Sequence, residues 1–147
     1  MTEPRPRLVA LVVNPVKTAD VDTLAGRLGE RCRAAGLADP LVLPTTEEDP
    51  GRGQARQAVD AGADVVVAAG GDGTVRAVAE GLAGTGTPLA VLPQGTGNLL
   101  ARNLGLPHDL DDALDAAVHG TDRALDVGRL DDGTVFAVMA GRGSTPR

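Results

Sequence analysis

The sequence predicts a doubly wound α/β domain on a mostly parallel sheet. Three observations carry this. Short apolar runs, Leu8–Val13, Val65–Ala69 and Leu89–Leu92, are continuous rather than alternating, as in strands covered on both faces. Segments with apolar residues at helical spacing separate them, joined by short links. Aromatic residues make up only 1% of the chain, so the core is Ala, Val and Leu, which suits helices lying close on a parallel sheet.

Leu8–Val13 is the first strand, and Asn14-Pro15 ends it, because a proline keeps its predecessor out of the helical region. Asp20 or Asp22 caps a helix whose Val21, Leu24, Ala25, Leu28, Cys32 and Ala35 share one face. Gly36 stops it. Leu41-Val42-Leu43 is the second strand, ended by Pro44-Thr45-Thr46. Glu47 to Gly53 reads as a polar loop, and Gln54 to Ala61 as a helix closed by Gly62. Val65–Ala69 is the third strand. Its glycine turn leads into a helix that resumes at Thr74 and runs to about Ala83. Leu89–Leu92 is the fourth strand, followed by Pro93-Gln94-Gly95-Thr96-Gly97-Asn98 and a short helix, Leu99 to Asn103. A further helix starts at Asp109 or Asp111 and ends at Gly120. Ala124–Val127 and Val135–Met139 read as strands around a turn at Asp131-Asp132-Gly133.

Composition narrows the function. The chain has 147 residues, 42% of them hydrophobic, enough for one folded domain. With a net charge of −6, no basic patch and one aromatic residue, Phe136, nucleic acid is not an expected partner. The single cysteine, Cys32, excludes an internal disulfide and reads as a buried structural thiol. The apolar run after Arg5 and Arg7 is too short for a signal peptide and lacks its cleavage pattern. No stretch approaches the roughly 20 apolar residues of a membrane span. The expected location is the cytoplasm, with peripheral contact at the inner membrane face.

Ligands of open α/β sheets lie beyond the carboxyl ends of the strands. Three loops emerge there: Asn14-Pro15, Gly70 to Thr74, and Gly95 to Asn98. Two are glycine-rich and open helices, which gathers backbone N–H groups as phosphate sites do. The plainer alternative is that these glycines only turn the chain tightly. The nucleoside triphosphatase loop is absent, and the only lysine, Lys17, is far in sequence from either glycine loop. The third glycine of the dinucleotide fingerprint is missing too. Asp72 beside such a turn repels phosphate unless Mg²⁺ intervenes; otherwise it accepts from a sugar hydroxyl, or stabilises its own loop. Thr74, Thr96 and Asn98 are candidates for phosphate contact or for helix caps. Arg76 and Arg102 fit either phosphate contact or solvated surface. His108, His119 and the acidic set Asp109, Asp111, Asp112 and Asp115 read as surface and helix-start residues.

Gly70-Gly71-Asp72-Gly73-Thr74, followed by Gly95-Thr96-Gly97-Asn98 and preceded by Asn14-Pro15, resembles the diacylglycerol kinase catalytic domain family, which includes sphingosine kinases and bacterial lipid kinases. The first motif alone is shared with the more distant NAD kinases. The resemblance runs from Leu8 to about Gly141. It implies the N-terminal domain fold of that family and ATP- and Mg²⁺-dependent phosphorylation of a lipid hydroxyl, such as that of diacylglycerol, at a membrane surface. By position, Ala69, Gly70, Gly71, Asp72, Gly73, Thr74 and Val75 would hold the ATP phosphates. Gly95, Thr96, Gly97 and Asn98 would flank the nucleotide from the second loop. Thr46 matches a nucleotide-contacting threonine, with Thr45 competing. Asp72 would organise Mg²⁺ directly or through water.

Departures are visible. Val16-Lys17-Thr18 stand where the family has Ser/Ala-Gly, Arg76-Ala77 where it has Asn-Glu, and Leu99 where it has Asp. Family members continue into a second, β-rich domain that supplies the general base. The expectation is therefore an ATP-binding domain over residues 1–141 and a polar tail over 142–147, from a truncation or frame shift, with little activity alone. The alternatives are an NAD kinase-like phosphotransferase and a non-catalytic nucleotide-binding module. Val135–Met139, an apolar strand at the end of the chain, is a candidate edge for self-association.

Overall fold

Two five-residue strands, Val9–Val13 (β1) and Val65–Ala69 (β3), are buried at every position. They pair in parallel with Val9 opposite Val65 and Val13 opposite Ala69. The computed structural model describes residues 7–18, 20–92, 110–119, 125–129 and 135–139. Around this central pair lie Leu41–Pro44 (β2) and Leu89–Leu92 (β4), also parallel, so that Pro44, Val13, Ala69 and Leu92 end in one row. Leu125–Arg129 (β5) and Val135–Met139 (β6) continue the sheet antiparallel, in the order β2-β1-β3-β4-β5-β6. The expected doubly wound, mostly parallel sheet is thus present.

Helices cover both faces. Val9, Leu11, Val13, Val65, Val67 and Ala69 point towards Val21–Ala34 (α1) and Leu110–His119 (α4). The alternate residues Ala10, Val12, Val66 and Ala68 point towards Arg52–Asp60 (α2) and Asp72–Leu82 (α3). Each fully buried Leu or Val here, such as Leu11, Leu28, Leu82 and Leu92, contributes about 1.5–3 kcal/mol relative to an exposed one. Among the described residues, no helix is long and apolar enough to cross a membrane.

Helix ends follow local chemistry. Asp20 caps α1: its Oδ2 accepts the Thr23 hydroxyl at 2.7 Å and its Oδ1 the Thr23 N–H at 3.0 Å, and these bonds, the hydroxyl's first, hold its carboxyl below the ordinary range. Gly36 and Gly62 follow α1 and α2 at φ 77° and 91°, as expected of terminating glycines. Some expected boundaries are corrected. α2 starts at Arg52 rather than Gln54, because Asp49 Oδ1 accepts the Gly53 N–H at 2.9 Å and organises the first turn two residues early. The fifth strand likewise begins at Leu125 and runs to Arg129, beyond the Val127 expected from its apolar residues. The Leu99–Asn103 helix and the Asp131–Gly133 turn lie outside the described residues.

Cys32 is fully buried, and burial pushes its thiol above the usual value, as a structural cysteine requires. On the surface of the same layer, Arg27 pairs with Asp111 and Arg31 with Asp115 and Asp111, joining α1 to α4. Asp111 and Asp115 of the acidic helix start are therefore structural.

On the other face α2 and α3 meet closely. A Cβ on Gly81 would stand 2.5 Å from the Arg52 carbonyl oxygen and 2.8 Å from Ala55 Cβ. Gly81→Ala is expected to cost about 1–3 kcal/mol by forcing the helices apart. A fall in the urea midpoint at unchanged slope checks this.

Candidate functional site at the switch point

The chain leaves β1 towards α1 on one face and leaves β3 towards α3 on the other. Adjacent parallel strands whose connections diverge in this way form a crevice at their carboxyl ends. Asn14 and Gly70 are the first residues beyond that edge. The Asn14 N–H donates to the Ala69 carbonyl at 2.9 Å, continuing the ladder by one bond. The Asn14 side chain then does two things. Its Oδ1 accepts from the Val16 and Lys17 N–H groups at 2.9 and 3.3 Å, folding the loop back on itself. Its Nδ2 donates to Thr74 Oγ1 at 3.4 Å, joining the β1 loop to the first turn of α3. The sequence placed Asn14-Pro15 among the loops at the strand ends but did not show this tie; the signal was an Asn, whose amide bonds nearby backbone readily.

The glycines of the motif do not act as tight-turn formers. Gly70, Gly71 and Gly73 are not among the residues with positive φ, and Gly71 is extended at φ −82°, ψ −173°. Gly70 is needed for space: a Cβ there would lie 2.6 Å from Thr74 Oγ1, 2.8 Å from Thr74 Cβ and 3.1 Å from Asn14 Cβ. Gly71 and Gly73 have no such reason, since a Cβ at either meets nothing within 4 Å. Gly26 shares that freedom, but alone on the exposed side of α1. At the strand end, Gly71 and Gly73 flank Asp72 and add no side chain of their own beside it.

The helix begins at Asp72, two residues before the resumption expected at Thr74, so most of the motif is helical. The first-turn N–H groups of any helix lack intrahelical acceptors, and the cap residue, Gly71, has no side chain to provide one. Asp72 is exposed in this first turn, where a carboxylate suits the helix dipole.

The remaining candidates are placed unevenly. Ala69 and Val75 are core residues on opposite faces of the sheet, so only their backbones reach the edge. Thr74 is 4% exposed, its hydroxyl accepting from Asn14. Thr46 stands on the loop after β2, one strand beyond β1, and is exposed; its hydroxyl accepts the Asp49 N–H at 3.0 Å. Thr45 is buried, its N–H donating to the Val13 carbonyl. Arg76 is exposed on α3. Gly95, Thr96, Gly97, Asn98, Arg102 and His108 lie outside the described residues. Among the described residues there is no cluster of three metal-ligating side chains. An open depression of about 510 Å³ lies elsewhere, between Arg52 and Arg56 of α2 and Glu80 of α3.

Fold and site together define a doubly wound α/β domain with a glycine-rich strand–turn–helix at its switch point. The diacylglycerol kinase catalytic domain model matches residues 8–130, and the chain belongs to that family. It is similar to the proteins named probable lipid kinase YegS-like from Cronobacter sakazakii, at 38% identity over 84% of this chain and 42% of the relative, and from Pectobacterium atrosepticum, at 34% over 95% and 47%. A crystal structure of a diacylglycerol kinase from Bacillus anthracis aligns with 79% of this chain and 44% of its own, at TM-score 0.60 and 27% identity. A second solved chain from that organism aligns over 90% and 48%, at TM-score 0.68 and 28% identity. The chain spans less than half the length of these relatives.

The geometry separates the glycines experimentally. Gly70→Ala is expected to lower stability by about 1–3 kcal/mol through overpacking against Thr74 and Asn14. Gly73→Ala, in an open helical position, is expected to raise it by roughly 0.5–1 kcal/mol. Chemical denaturation of the two variants side by side reads both signs.

Proposed function

We propose that this chain binds ATP with Mg²⁺ as the nucleotide-binding part of a lipid kinase, whose acceptor is a lipid hydroxyl such as that of diacylglycerol. One observation carries the reading: Gly71 and Gly73 lack side chains with no conformational or packing need, at the N-terminus of α3 and over a switch-point crevice. A ligand that approaches the backbone closely is the reason that remains, and a phosphate suits the amides there. Family membership supports phosphoryl transfer as the chemistry.

In this reading the first-turn amides of α3 take phosphate oxygens, while Thr46 and the Gly95–Asn98 loop flank the nucleotide. Asp72 would hold Mg²⁺ or its waters. The residues fit such an ion: Mg²⁺ is commonly bound by one or two carboxylates, several waters and the substrate phosphates, and Asp72 is an exposed carboxylate between two bare positions. When bound, the ion neutralises phosphate charge that Asp72 would otherwise repel. Asn14 and Gly70 keep the loop and helix start in register with the strand ends. Phosphoryl transfer depends chiefly on such positioning and on charge stabilisation.

Calorimetric titration with ATP, with and without Mg²⁺, tests this. The wild-type chain is expected to bind ATP only when Mg²⁺ is present, and Asp72→Ala to lose that binding. Equal binding by Asp72→Ala would leave the carboxylate as a turn-former, and no binding by the wild type would remove the nucleotide reading. With labelled ATP, the chain alone is expected to show little transfer, and what there is to go to diacylglycerol in micelles and not to NAD.

A further inference from the structure

We propose that Lys17, on the loop between β1 and α1, is a phosphate-contacting residue for the bound nucleotide. The proposal rests on the nucleotide reading above and fills a gap in it. A triphosphate is strongly anionic, the chain carries a net charge of −6, and the glycine turn presents an exposed Asp72. Helix amides offer only about half a unit of positive charge. A full cation at the same edge of the sheet is wanted.

Folding brings one there. The backbone N–H of Lys17 donates to Asn14 Oδ1 at 3.3 Å, and Asn14 Nδ2 donates to Thr74 Oγ1 at 3.4 Å. One asparagine side chain thus separates Lys17 from the first turn of α3. The loop is braced as well, since the Thr18 N–H donates to the Asn14 carbonyl at 3.0 Å. Asn14 already occupies the Val16 and Lys17 amides, and the Thr18 hydroxyl, without a partner among the described residues, is buried; the Lys17 ammonium is the exposed donor this part of the loop offers an anion. Lys17 is exposed and has no ion-pair partner among the described residues. Most arginines of the α1 layer are engaged: Arg27 and Arg31 with acids of α4, Arg33 with Asp39, and Arg7 with the Val118 carbonyl. Arg76, one turn into α3, is also exposed. A lysine on a flexible four-carbon stem with three rotatable donors suits a phosphate whose oxygens shift during transfer.

The test compares wild type, Lys17→Met, Lys17→Arg and Asp72→Ala by calorimetry with MgATP, inorganic tripolyphosphate and adenosine. Thermal midpoints serve as the folding control, and an exposed Lys17 predicts no change. Lys17→Met is expected to bind MgATP and tripolyphosphate at least about tenfold more weakly, the lower end for a hydrogen bond to a charged group. Adenosine binding stays unchanged, Lys17→Arg recovers most of the loss, and the salt dependence of MgATP binding becomes shallower. If wild type binds MgATP, Asp72→Ala loses it and Lys17→Met matches wild type, the lysine proposal falls and the nucleotide reading stands. If wild type binds neither MgATP nor tripolyphosphate, both fall.

Discussion

The structure turns on how closely two strand ends can be approached from opposite faces. β1 and β3 finish level, and their outgoing chains part, one to each layer of helices. Something must close the wedge between them without filling the crevice beyond. Residue 70 does this by having no side chain: Thr74 and Asn14 both pack into the space a Cβ would take. The Asn14–Thr74 contact and the start of α3 two residues past Gly70 both depend on that close approach.

Twenty glycines in 147 residues invite one explanation and require three. Gly36, Gly51, Gly62, Gly84 and Gly86 stand at positive φ, where other residues are strained. Gly70 and Gly81 are sites of close approach, one between loop and helix, the other between α2 and α3. Gly71 and Gly73 belong to neither group, and it is this remainder on which the proposed nucleotide reading rests. A core almost free of aromatics fits the same economy of volume, since small side chains let helices lie close to the sheet and to each other.

Anion binding by an acidic protein has to be arranged locally. In the proposed reading the N-terminus of α3 would supply partial charge, and the loop after β1 would add the chain's one lysine. That charge would come from segments far apart in sequence, and neither resembles the single contiguous loop of nucleoside triphosphatases.

What could be read directly was local. The four- and five-residue apolar runs of β1, β3 and β4, the Asp20 cap and the stops at Gly36 and Gly62 follow from hydrophobic period and turn chemistry, which act within a few residues. Local too are the glycine motifs that mark the family. The early start of α2 was less visible, because it depends on whether Asp49 turns towards Gly53 or towards solvent. Tertiary structure alone decided the neighbours of each strand, the reversal of β5 and β6, the different uses of three neighbouring motif glycines, and the delivery of Asn14 to a turn some 60 residues later. Those outcomes depend on which surfaces meet when the layers pack, and no pattern confined to one segment encodes a contact with another.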